Sequence, residues 1–208
     1  MNKARGRHRP PPEARLSAQR DRLLRAAALE FSRRGYAGAT SESISRRAGM
    51  SKATFYEHFA NKEECMLTLF DEARRVVQES MAAAAAGASG DAYERMKAGT
   101  HAFLTALAEH PELAQTLLVE IIGAGPRAAQ ERDRILQTFA DVLDAENAAA
   151  ARRGLIGRFA SPLDTFAVVG AISELISRQV RLGVPKNLLD LAPVIDRMIF
   201  GMLPRARA

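Results

Sequence analysis

The stretch TSESISRRAGMSKATFYEHFANKEE, residues 40–64, constrains this chain more than any other, because it forces two sharp reversals inside 25 residues. Thr40 carries an N-cap hydroxyl, and Glu42 places negative charge near the positive end of the helix dipole. Arg46 and Arg47 fall in the last turn and Gly49 can take the left-handed conformation that stops a helix, which predicts a first short helix over 41–48. Ser51 caps a second, over 52–58. Asn61 with Glu64 three residues on is a capping-box pattern that opens a third at Lys62. Helices this short are not stable alone. Ile44, Ala48, Met50, Phe55 and Phe59 must therefore bury the pair against a neighbour, leaving Lys52, Ala53, Thr54, Tyr56 and His58 to face outward. Two braced short helices of this kind can set a row of side chains in the major groove of DNA.

Phe31, Gly35, Thr40, Ile44, Ala48, Gly49, Ser51, Lys52, Thr54, Phe55, Tyr56, Phe59, Lys62 and Glu63 stand in an order that resembles the DNA-binding domain of TetR-type transcriptional regulators, over roughly residues 18–70. Ala53 stands where that family often has glycine, and Ser45 where it often has alanine. The resemblance implies an all-α chain with an N-terminal helix-turn-helix domain and a C-terminal helical domain for effector binding and dimerisation. It implies that Thr40, Tyr56 and Lys62 contact phosphates and that Lys52, Ala53 and Thr54 meet base edges, with His58 able to do either. Ser41 and Ser51 complete the expected DNA-facing set. The implied partners are a double-stranded DNA operator, a second copy of the chain and a small-molecule effector of unknown identity. The implied activity is a homodimeric repressor, released from a pseudo-palindromic operator by its effector. The alternative is a ligand-independent dimeric regulator whose C-terminal part serves only dimerisation or protein contacts.

Charge is distributed accordingly. Residues 1–60 hold 13 Lys or Arg against 5 Asp or Glu, a net +8, and the other 148 residues carry −2. Such an excess attracts phosphates whatever the base sequence. Residues 1–16 combine Lys3, Arg5, Arg7 and Arg9 with three successive prolines, which predicts a flexible basic arm, either reaching the minor groove or simply solvated. The helix-turn-helix domain is then expected over 17–61 and the remainder over 62–208.

Apolar spacing predicts a helix over 18–34, capped by Ser17, with Leu23, Leu24, Ala27, Ala28 and Phe31 inward, and a fourth over 62–84. Beyond the AAAAAGASG run at 82–90, helices are expected near 91–109, 111–123, 126–153, 162–182 and 190–203, with Pro111 and Pro126 in first turns. Phe166, Val169, Ile172, Ile176, Val180, Ile195, Met198, Ile199 and Met202 lie on the last two. The family resemblance makes these the expected dimer interface, the alternative being an internal core. Phe103, Leu107, Leu117, Ile121, Phe139 and Val142 are expected to line an effector pocket or, alternatively, to be ordinary core. Glu120, flanked by apolar residues in TLLVEIIGAG, would need a partner if it faces inward, and is expected to hold a ligand group in that pocket, the alternatives being an exposed carboxylate or a pairing with an arginine.

Other classes are argued against by what the chain lacks. It has no G-x-S-x-G, no H-E-x-x-H, no phosphate-binding glycine loop and no Cys-His pairing, so an enzyme is not expected. Neither His101 nor His110 has a second ligand at metal spacing, and neither a metal nor a cofactor is expected. The single Cys65 rules out an internal disulfide and is expected to be buried and inert. No signal region or membrane-length apolar run is evident, which points to the cytoplasm and away from the membrane.

Overall fold

A computed structural model of the chain describes residues 11–203. Among these the structure is helical throughout, with no strand: α1 (Pro12–Gly38), α2 (Ser41–Arg47), α3 (Lys52–His58), α4 (Lys62–Gly87), α5 (Ala92–Glu109), α6 (Pro111–Leu118), α7 (Pro126–Arg152), α8 (Pro162–Leu182) and α9 (Ala192–Gly201). Short 3-10 turns at Glu120–Gly123 and Leu188–Leu191 precede α7 and α9.

The capping residues do what their chemistry suggests. Side chains of Thr40, Ser51, Asn61, Asp91 and Ser161 each accept a hydrogen bond from a backbone N–H in the first turn of the helix that follows. The first helix departs from expectation, beginning at Pro12 and not near residue 18. A proline at N1 has no N–H to leave orphaned and a φ already set for the helix, so the third proline opens the helix. Residues 12–16 of the expected arm are thus helical, and residues 1–10 lie outside the described residues. At its far end α1 is kinked by Gly35, with φ 69° and ψ 166°, a region open essentially to glycine alone.

Two apolar clusters organise the chain. The first joins Leu23, Ala27 and Phe31 of α1 to Ile44, Phe55 and Phe59, and draws in Met66 and Phe70 of α4 together with Ile121, Ala124 and Ala128. This cluster does not stop at residue 61. The second holds Leu104 and Leu107 of α5, Ile176 of α8, and Ile195 and Ile199 of α9. Outside the head α4 lies along α5, and α7 along α8.

The helix expected over 111–123 is broken. α6 ends at Leu118, whose carbonyl accepts from Ser177 Oγ at 3.1 Å, and the chain tightens into the 3-10 turn. An α8 hydroxyl thus takes a carbonyl that a continuing helix would need. The expected 190–203 helix likewise starts late, at Ala192, which leaves Pro193 harmlessly in the first turn.

Candidate nucleic-acid interface

The head is held in shape by hydrogen bonds that few of its sequence signals announce. Thr40 and Ser43 form a reciprocal capping box, with N-to-hydroxyl distances of 3.1 and 3.0 Å. Ser51 Oγ accepts from Thr54 N at 3.0 Å and starts α3. Arg22 Nη2 donates to Ala48 O at 2.6 Å, pinning the end of α2 just before Gly49 turns with φ 64°. Glu30 is only 2% exposed. Its carboxylate meets Arg47 Nε at 2.6 Å and Arg34 Nε at 2.9 Å. Burial pushes the Glu30 carboxyl pKa up, but the Arg47 and Ser43 hydrogen bonds and both arginine charges outweigh it, so the group sits below its ordinary value. Sequence reasoning missed this clamp. Its signal was a carboxylate inside the apolar stripe of LLRAAALEF, with paired arginines at 33–34 and 46–47.

Against this frame α3 presents an exposed edge. Lys52, Ala53 and Tyr56 face solvent, Tyr56 at 49%. The Lys52 ammonium lies 5.9 Å from the Tyr56 ring centroid. Phe55, fully buried, backs Tyr56 edge-on at 5.5 Å between ring centroids. Thr54 is half-buried, its hydroxyl 2.9 Å from Ser51 Oγ, while Thr40 is exposed and Ser41 half-buried at the start of α2.

Two expected DNA-facing residues sit differently. His58 is half-buried, and its Nε2 is buried without a hydrogen-bond partner. Lys62 donates to Tyr36 O at 2.7 Å and Ala39 O at 3.0 Å, with its ammonium 4.3 Å from the Tyr36 ring centroid. Desolvation lowers its pKa. Any phosphate contact by Lys62 would come from an ammonium that already ties down the carbonyls freed where α1 ends.

Glu120 departs from the ligand-facing expectation. Its Oε2 accepts from Tyr36 N at 3.0 Å and its Oε1 from Gln115 Nε2 at 2.9 Å, so the carboxylate joins the 3-10 turn to the end of α1. The other expected effector residues divide. Ile121 belongs to the head cluster and Leu117 packs against it, whereas Leu107 belongs to the body cluster and Phe103 packs there. Phe103 and Phe139 meet at 5.9 Å between ring centroids, and Val142 is 44% exposed. A cleft of about 510 Å³ lies elsewhere, between the end of α4, one face of α5 and the start of α9, with Lys97, His101 and Asp196 on its walls.

The expected dimer residues need a larger correction. Ile176, Ile195 and Ile199 are 0%, 0% and 4% exposed within one chain, and Ile172 and Val180 pack against the same core. The apolar periodicity that selected them marks the inward faces of α8 and α9. Phe166, Val169 and Met198 are half-buried and Met202 is exposed. On α8 the outward stripe is Leu163, Ala167, Ala171, Glu174 and Arg178, at helical spacing.

Cys65 is buried, which pushes its thiol pKa up to about 12. No helix among the described residues is long and apolar enough to cross a membrane.

Residues 23–69 match the family model for bacterial regulatory proteins of the tetR family. Over 195 residues, covering 89% of this chain and 93% of the relative, the sequence is 29% identical to the HTH-type transcriptional regulator YdgC of Bacillus subtilis (strain 168). The fold is similar to the fatty acid degradation regulator FadR of Bacillus halodurans, with a TM-score of 0.81 and 20% identity over 95% of this chain and 99% of that one. It is also similar to FadR of Bacillus subtilis, solved in complex with stearoyl-CoA, with a TM-score of 0.78 and 21% identity over 88% and 99% of the two chains.

Proposed function

We propose that this chain, a transcriptional regulator of the TetR type, acts as a cytoplasmic homodimeric repressor, released from a pseudo-palindromic operator by a small molecule. The observation that carries the reading is the exposed Lys52-Ala53-Tyr56 edge of α3, on a helix fixed from behind by the fully buried Phe55. A rigid backing is what base readout needs, since side chains must arrive at base edges in a set register. Lys52, Ala53 and Thr54 meet base edges while Thr40 and Tyr56 contact phosphates, and two such heads occupy successive major grooves about 34 Å apart. Dimerisation uses the outward stripe of α8 around Leu163, Ala167 and Ala171, with Met198 of α9 and Met202 just after that helix; Leu163 alone leaves 75% of its surface exposed in one chain. Residues 17–61 carry the reading surface, braced by the start of α4, and the effector and dimer unit follows.

For the effector, the Phe103–Phe139 ring contact between α5 and α7, with Leu107 in the core behind Phe103, marks the region to open. The likeness to a FadR bound to stearoyl-CoA makes long-chain acyl-CoA the first probe. Selection of duplexes from a random pool tests the DNA half of the reading: it predicts an inverted repeat, and a direct or single half-site would defeat the dimer geometry. A thermal-shift series with acyl-CoA and other small molecules tests the other half, because a ligand of the folded state raises apparent stability by mass action. If no compound shifts melting or releases the selected duplex, the ligand-independent regulator takes its place.

A further inference from the structure

We propose that Glu120 is a latch through which the body sets the orientation of the DNA-binding head. The inference rests on the reading that the effector-free protein is the DNA-binding form. Its starting point is the peptide at Tyr36. The kink at Gly35, φ 69°, takes the Tyr36 amide out of the regular helix, and Glu120 Oε2 accepts that N–H at 3.0 Å. Lys62, at the first position of α4, takes the carbonyl of the same residue at 2.7 Å. One residue is therefore gripped on its donor from the 3-10 turn after α6 and on its acceptor from α4, five positions before α2 begins at Ser41.

The grip continues inward. Glu120 opens the 3-10 turn that follows α6, and its second oxygen is held by Gln115 of α6 at 2.9 Å. Leu118, where α6 stops, is tied to Ser177 of α8 at 3.1 Å, and Ser177 is 2% exposed, within the body. A contiguous set of contacts thus runs from Ser177 through the end of α6 and Glu120 to Tyr36 and the corner leading into α2. Gly35 is fitted to this contact, since a Cβ built there would stand 3.1 Å from Glu120 Oε2. A displacement of α6 transmitted to Glu120 frees the Tyr36 amide and lets the head swing away from the orientation that two heads must share to span one operator. Thr116 makes a second tie between α6 and α1, its hydroxyl 3.3 Å from Ala28 O, but at mid-helix, where it does not reach the corner.

The test uses full-length protein and a duplex selected from a random pool by the wild type. It measures amide exchange at Tyr36 and affinity for that duplex in wild type, Glu120→Ala, Glu120→Gln and Thr116→Val. Loss of a charge-assisted bond predicts faster Tyr36 exchange and roughly tenfold or greater loss of duplex affinity in Glu120→Ala. Glu120→Gln keeps an acceptor oxygen and stays much closer to wild type in both. Thr116→Val lowers the melting temperature without changing either. Glu120→Asp retains the charge but shortens the reach, so it gives the alanine result in a protein that folds if Glu120→Ala does not. Faster exchange with unchanged affinity, or an equal affinity loss in Thr116→Val, overturns the latch. Tighter binding by Glu120→Ala preserves the latch and overturns the reading that the effector-free form binds DNA.

Discussion

Replacing Gly35 by alanine puts the kink of α1 to a quantitative test. At φ 69° and ψ 166° an L-residue sits in a region open essentially to glycine, which costs about 1–3 kcal/mol. The added Cβ also stands 3.1 Å from Glu120 Oε2, so the carboxylate must withdraw and weaken its bond to Tyr36 N. A charge-assisted hydrogen bond contributes about 1.5–3 kcal/mol, and only part of it is lost if the side chain re-aims. Against these, alanine restricts the unfolded chain and returns about 0.4–1 kcal/mol. The net expectation is destabilisation of about 2–4 kcal/mol, which for a chain of this size is a fall in Tm of roughly 4–16 °C. Calorimetry or urea unfolding reads it directly. Gly87→Ala is the control, because nothing lies within 4 Å of a Cβ there and its φ is not positive. Combining Gly35→Ala with Glu120→Ala separates the two causes: removing the carboxylate relieves the close contact but not the backbone strain, so the double variant is less destabilised than the sum of the singles. If Gly35→Ala falls within about 0.5 kcal/mol of the Gly87→Ala control, the strain argument is wrong.

Lys62→Ala removes the cation that ties Tyr36 and Ala39 carbonyls; duplex affinity should fall while the salt dependence of binding keeps its slope, and a slope reduced by about one would instead make Lys62 a phosphate contact. The Glu30 carboxyl lies below its ordinary value in the folded chain, so its stabilisation is present in full above the ordinary value near 4.5 and is lost as pH falls through the lowered folded value. An acid titration of stability should therefore show a shallower decline in Glu30→Gln, which at neutral pH is already less stable by about 1–3 kcal/mol through loss of charge-assisted hydrogen bonding to Arg47 and the ion pair with Arg34. Ala171→Arg should yield monomers in sedimentation without loss of helicity, whereas Ile176→Ala should cost about 2–5 kcal/mol of stability and leave the association state alone. A monomeric Ile176→Ala protein with unchanged stability would return the inward face of α8 to the interface.

Much of the head was legible before any coordinates. Thr40, Gly49, Ser51 and Asn61 act within four residues of themselves, through capping and φ preference, so the ends of α2 and α3 follow from local chemistry. Phe55 and Phe59 could be placed inward because a seven-residue helix must bury something. The site was less legible. Lys62 and His58 look solvent-facing by spacing alone, but Lys62 meets carbonyls more than 20 positions earlier in the chain. His58 is half-buried beside Phe59, with its Nε2 enclosed. In α8 an apolar stripe says only that one face is covered, not by what. Ile176 proved to be covered by the chain itself.

What the sequence determined by itself is therefore what short-range physics controls: helix starts and stops, the braced pair of short helices, the basic head and the residue set that marks the family. Tertiary structure alone decided which distant polar groups meet. Glu30 lies 17 positions from Arg47 and Glu120 lies 84 from Tyr36. No local propensity encodes such pairings, because they exist only once packing has removed the water that would otherwise satisfy each group.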